Sequence, residues 1–168
     1  MDRTLIDQAA RVLQIRAVLL RSSSLTSAPD ILPPSDPALE LAAQFRSTTE
    51  TNVEVTRIEA SGKTLGRIAV VVFSVGVRLV DQKALSESRE GGLELRDDAV
   101  KLEIKAEFAA HYALPDEVEI KALGPALAEF CRHNVGFHVW PYWREFVQST
   151  CTRMGFPPVP VPMYQVPR

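Results

Sequence analysis

The run "VKLEIKAEFAAHY", Val100 to Tyr112, constrains this chain more than any other stretch. Val100, Leu102, Ile104, Ala106, Phe108, Ala110 and Tyr112 fall on one side of a period of two, and Lys101, Glu103, Lys105, Glu107 and His111 fall on the other. That pattern belongs to a strand with one buried and one wet face, so the chain must build a sheet and must cover one side of it.

The same period occurs upstream. From Val12, Leu13, Ile15, Ala17 and Leu19 share a face while Gln14 and Arg16 take the other, a first strand that runs into "RSSSLTS". "TNVEVTRIEASGKTLGRIAVVVFSVGVRLV" is β-branched on both sides of the glycine-containing "ASGKTLG" and reads as a hairpin. In its second arm Ile68, Val70 and Val72 oppose Ala69, Val71, Phe73, Val75, Val77 and Leu79, so both faces are apolar, as in a central strand. Four strands joined by loops too short for crossover helices pair antiparallel. Between the first strand and the hairpin, "APDILPPSDPALELAAQF" carries four prolines in nine residues and then Ser35, Asp36 and Pro37, a helix start, which predicts a loop ending in a short helix near 36–46. Polar "DQKALSESREGGLELRDD" predicts a solvent loop.

Past Pro115 the period becomes helical. Gly124 and Pro125 suit a helix start, and Leu127, Phe130, Cys131 and Asn134 share a face. The glycine in "NVGFHVW" predicts a break, after which Pro141 opens a second helix with Tyr142, Phe146, Ser149 and Arg153 at helical intervals and Gly155 as its cap. The tail "FPPVPVPMYQVPR" has five prolines in thirteen residues and predicts an extended run over the surface. The expected architecture is a single α+β domain over 1–168. A four-stranded antiparallel sheet (about 12–112) is followed by two helices packed on one face (about 125–154) and by a proline-rich apolar tail (156–168).

Composition narrows the function. A formal charge of −2, from 19 basic and 21 acidic residues, offers no field for a phosphate backbone, so no nucleic acid partner is expected. The first twenty residues interrupt their apolar positions with Arg3, Asp7, Arg11, Gln14 and Arg16, which predicts no secretory leader. The longest apolar run, Ile68 to Phe73, is far short of the roughly 18 residues of a membrane span. A cytoplasmic protein with two reduced core thiols, Cys131 and Cys151, fits these facts.

Motifs for chemistry are weak. "SGKT", Ser61 to Thr64, copies the end of a phosphate-binding loop, but Arg57 stands where the leading glycine belongs and a strand follows, so it reads as a hairpin turn. Cys131, His133, His138 and Cys151 have a spacing unlike that of zinc sites, and no metal or cofactor is expected. No nucleophile elbow, H-E-x-x-H or glycine-rich dinucleotide turn occurs, which points away from an enzyme, although a small α+β enzyme stays open as an alternative. Both tryptophans lie in "WPYWREF", Trp140 to Phe146. Such a cluster either fills a core or grips a ligand, and the i, i+4 relation of Tyr142 and Phe146 favours the core.

Sequence order adds a resemblance. "NVGFHVWPYWREFVQSTCTRMGFPPVPVPMYQV" resembles the SecB-type export chaperones, whose outline is P-Y-A-R-E, a helix, R-G-x-F-P and a proline-containing apolar stretch. The matching residues are Pro141, Tyr142, Arg144 and Glu145, then Gly155, Phe156 and Pro157. The order of strands and then helices is similar along nearly the whole chain. What the resemblance implies is an ATP-independent holdase without catalytic residues. It would be a homotetramer, a dimer of dimers, binding unfolded polypeptide in apolar grooves. Matching groove positions are Phe137, Val139 and Trp140 in the inter-helix loop and Phe156, Val159, Val161, Met163 and Tyr164 in the tail. Clients would be preproteins in export, or an antitoxin in the SecB-like branch dedicated to toxin–antitoxin pairs. Export members dock the ATPase SecA through carboxylates near the end of the first strand. Here Ser22 to Ser27 contains no acid and no acidic tail precedes Arg168, which puts docking to SecA in doubt.

Overall fold

A computed structural model describes residues 1–29, 40–50, 53–92 and 95–165. The elements in chain order are α1 (Arg3–Ala10), β1 (Gln14–Ser27), β2 (Leu41–Thr49), β3 (Glu54–Ala60), β4 (Lys63–Asp81), α2 (Gln82–Gly91), β5 (Val100–Leu114), α3 (Gly124–His133) and α4 (Val135–Arg153). All sheet pairings are antiparallel, in the order β1, β5, β4, β2, with β3 also on β4. The α+β class with an open antiparallel sheet is as expected, but among the described residues the sheet has five strands rather than four.

The extra strand is β2, where a short helix near 36–46 was expected; residues 36–39 lie outside the described part. β4 explains the difference. It pairs with β5 on one side, and on its other edge β3 matches Lys63 to Val70 while β2 matches Phe73 to Asp81. A bare edge of that length would leave a row of backbone groups unpaired, and this demand outweighs the weak local preference of "LAAQFRSTT". The β3–β4 turn consists of Ser61 and Gly62, at φ 52° and 73°. Those angles are the positive ones a two-residue hairpin needs, so "SGKT" is a turn.

β5 follows its alternation, with Leu102, Ile104, Ala106, Phe108, Ala110 and Tyr112 in the core beside Val71, Phe73, Val75, Val77 and Leu79 of β4. β1 departs from its simple pattern. The register shifts between Ile15 and Ala17, which turns Val18 inward and leaves Ile15 and Leu19 exposed.

Two helices were not expected. In α1, the Asp2 carboxylate accepts hydrogen bonds from the Thr4 and Leu5 N–H groups at 2.9 and 3.3 Å, and Ala9 is buried. In α2, expected as solvent loop, Asp81 caps Lys83 N–H at 2.9 Å and Gly92 at φ 61° ends the helix.

The largest correction concerns α4. A loop was expected at 134–140 with a helix starting at Pro141, yet only Asn134 separates α3 from α4, and α4 runs through both Gly136 and Pro141. Val135, Val139, Trp143, Val147 and Cys151 recur every four residues and are all buried. Burying each large apolar side chain contributes about 1.5–3 kcal/mol, so the stripe outweighs the roughly 3 kcal/mol that an interior proline costs. Of the face that sequence spacing proposed, Tyr142 and Arg153 are exposed, whereas Phe146 is half-buried and meets Phe108 of β5 edge to face at 6.2 Å.

Candidate functional site

α4 lies on the sheet, and the chain that leaves it comes back across it. The helix ends at Gly155, φ 77°, with Phe156 N–H bonded to the Cys151 carbonyl at 2.9 Å, and the tail then runs extended. Its apolar members Phe156, Val159 and Val161 are buried, whereas Pro157, Pro158, Pro160 and Pro162 face out. The tail is extended as expected, but it forms part of the core instead of lying over the surface. The inward positions 156, 159, 161 and 164 are separated by three, two and three residues, a mixture of polyproline and strand periods.

Beyond Val161 the contacts become specific. The Trp140 indole Nε1–H donates to the Pro162 carbonyl at 2.7 Å. The Tyr164 ring lies 5.1 Å from Trp140, 5.0 Å from Phe137 and 6.3 Å from Phe73 of β4, the last two edge to face. Partial burial pushes the Tyr164 hydroxyl above its usual pKa. Beneath the ring is Gly136, where a Cβ would come within 2.1 Å of Tyr164 Cζ. Arg144 Nη1 approaches Met163 Sδ at 3.7 Å.

The candidate groove residues therefore divide into three groups. Val139, Trp140, Phe156, Val159 and Val161 are buried and pack within the chain itself. Tyr164 is half-buried in the aromatic cluster. Phe137 and Met163, 50% and 74% exposed, are the two already open to solvent. Among the family-motif residues, Pro141, Tyr142 and Glu145 face out on α4, Arg144 reaches toward the tail, Gly155 ends the helix and Pro157 is exposed. Phe73 and Gly136 belong to the cluster and were missed. In the sequence Phe73 shows only as part of a strand face, and Gly136 only as a helix breaker.

Other candidate chemistry falls elsewhere. Cys131, His133, His138 and Cys151 make no common centre: His138 Nδ1 is 3.0 Å from the Tyr112 hydroxyl, and His133 Nε2 is 3.4 Å from Glu129. Burial pushes the Cys131 thiol up to about 11. No group of three His, Cys, Asp or Glu able to hold a metal occurs among the described residues, and no described helix is long and apolar enough to cross a membrane. Elsewhere on the sheet a cleft of about 480 Å³ is lined by Ser22, Ser24, Arg46, Thr48, Val75 and Glu107 among others.

No protein-family model matches the chain, and no curated protein sequence matches it significantly. Among solved structures it is similar to a Mycobacterium tuberculosis SecB-like chaperone in complex with a ChAD peptide from the HigA1 antitoxin. The TM-score is 0.66 at 19% identity, over 99% of this chain and 100% of that one. At that identity the likeness is one of fold.

Proposed function

We propose, from the premise that this chain has a SecB-like fold, that it is a polypeptide-binding chaperone dedicated to an antitoxin-type client. The observation that carries the proposal is the tail. An extended, proline-rich, apolar segment already lies along α4, held by pockets and one indole hydrogen bond, so this surface accepts extended polypeptide. Such binding draws on apolar burial at about 25 cal/mol per Å² and needs neither a catalytic residue nor ATP. The antitoxin peptide held by the similar chaperone supports the dedicated reading over an export role. So does the acid-free stretch Ser22 to Ser27, which lacks the carboxylates by which export members are expected to dock SecA.

The exposed apolar residues Ile15, Leu19, Leu20 and Leu25 of β1 support burial against another copy of the chain, and the proposed assembly is a homotetramer, a dimer of dimers, acting in the cytoplasm. The test measures light scattering from several unrelated denatured proteins and from an aggregation-prone antitoxin, alongside the solution mass. Protection of the antitoxin at far lower chaperone concentrations than the others require is the expected result. Equal protection of all of them would mean a general holdase, and no protection together with a monomeric mass would remove the chaperone reading.

A further inference from the structure

Tyr164 occupies a place shaped for a ligand. The slot has a floor only because residue 136 lacks a side chain, and its walls are the rings of Phe137, Trp140 and Phe73, contributed by α4 and β4. Two residues before the tyrosine, a single backbone carbonyl is taken by the Trp140 indole. The intervening Met163 points into solvent. These contacts read one carbonyl and, two residues later, one aromatic ring; they do not read the rest of the sequence. Among the described residues, 157–165 make no backbone-to-backbone hydrogen bond, and the contacts seen at this end of the tail are made by side chains.

We propose that this slot is the anchor for an aromatic side chain of an extended client segment, and that Tyr164 is a built-in competitor that fills it when no client is present. A client with Phe, Tyr or Trp two residues after an accessible carbonyl displaces Pro162, Met163 and Tyr164 and takes over both contacts. The inference rests on the polypeptide-binding reading and adds which client feature is gripped and what must leave first. Two substitutions expel the tyrosine with opposite consequences. Y164A empties the slot, whereas G136A puts a methyl group 2.1 Å from the position of the ring's Cζ, so no aromatic ring can sit where Tyr164 sits.

The test follows fluorescence anisotropy of a labelled PVPMYQ peptide, which copies 160–165, titrated with the full-length protein. Y164A should bind it about tenfold more tightly than wild type, and Y164Q should do the same should the alanine variant fold poorly. Y164F should behave as wild type. G136A should bind at least as weakly as wild type, and a PVPMAQ peptide should bind Y164A about tenfold more weakly than PVPMYQ does. Equal binding by wild type and Y164A, or tight binding by G136A, would overturn the proposal. Scattering assays on the same samples separate the two ideas. Wild-type protection without tighter peptide binding by Y164A removes the competitor and keeps the chaperone; tight peptide binding without protection keeps the slot and removes the chaperone.

Discussion

β1 and the tail are both extended segments at the margin of the sheet and helices, and they are held in opposite ways. β1 is tied to β5 by a ladder running from the Gln14–Ala113 pair to the Ser27–Leu102 pair. Among the described residues, the tail after Phe156 has no ladder, and Val159 and Val161 are set into pockets. Releasing a laddered strand exposes a row of unpaired backbone groups on two strands at once, whereas a pocket-anchored segment can detach one side chain at a time. A surface that holds its own chain in the second manner can exchange that chain for another without unpairing the sheet.

The sharpest way to break this comparison is to damage the platform under the tail. Trp143, fully buried on α4 one turn beyond Val139, should cost about 3–5 kcal/mol on replacement by alanine, measured by urea unfolding. A loss below about 1 kcal/mol would mean that α4 is not a fixed platform. F156A should cost about 3 kcal/mol because this residue is core, not tail, in energetic terms. V18A, which trims the inward face of β1, should cost about 1.5 kcal/mol. Were F156A the milder of the two, the tail would be loose from its first residue.

A smaller effect concerns the tie between α4 and β5. Burial holds His138 below its ordinary value of 6.5, and its Nδ1 lies 3.0 Å from the Tyr112 hydroxyl. The folded state therefore binds this proton less readily than the unfolded state, so the contribution is complete above pH 6.5 and is lost as pH falls through 6.5 toward the lower folded value. A melting temperature that declines from pH 7.5 to 5.5 in wild type, and declines less in H138Q, is expected; identical declines would separate His138 from the effect. The smallest change is M163A. With its side chain in solvent and one contact to Arg144, it should alter stability by less than about 0.5 kcal/mol in the same urea titration.

What could be read in advance depended on whether an element shows two different faces. β5 does, and its alternation is legible residue by residue. α2 buries nothing, so "QKALSESREG" has no apolar stripe and only the Asp81 and Gly92 caps announce it. β2 owes its form to the edge of β4, a partner some thirty residues away that no local window contains. In α4 the signals conflicted. Gly136 and Pro141 spoke for a break while the four-residue stripe from Val135 to Cys151 spoke for continuity, and packing decided. The tail's prolines announced an extended chain, and its valines and Tyr164 were legible as apolar. That these would fill a slot under Trp140, and not line one, depends on where Gly136 lands in three dimensions.

The pairing of β1 with β5 also has a meaning in time. Ser24 is matched to Lys105, so during synthesis the first strand is finished roughly eighty residues before its partner exists, and closing that loop is the costliest contact in the sheet to form. Until then Ile15, Leu19, Leu20 and Leu25 stand on a strand with both edges bare. A chain proposed to shelter the unfinished segments of another protein thus begins its own existence on the ribosome with such a segment.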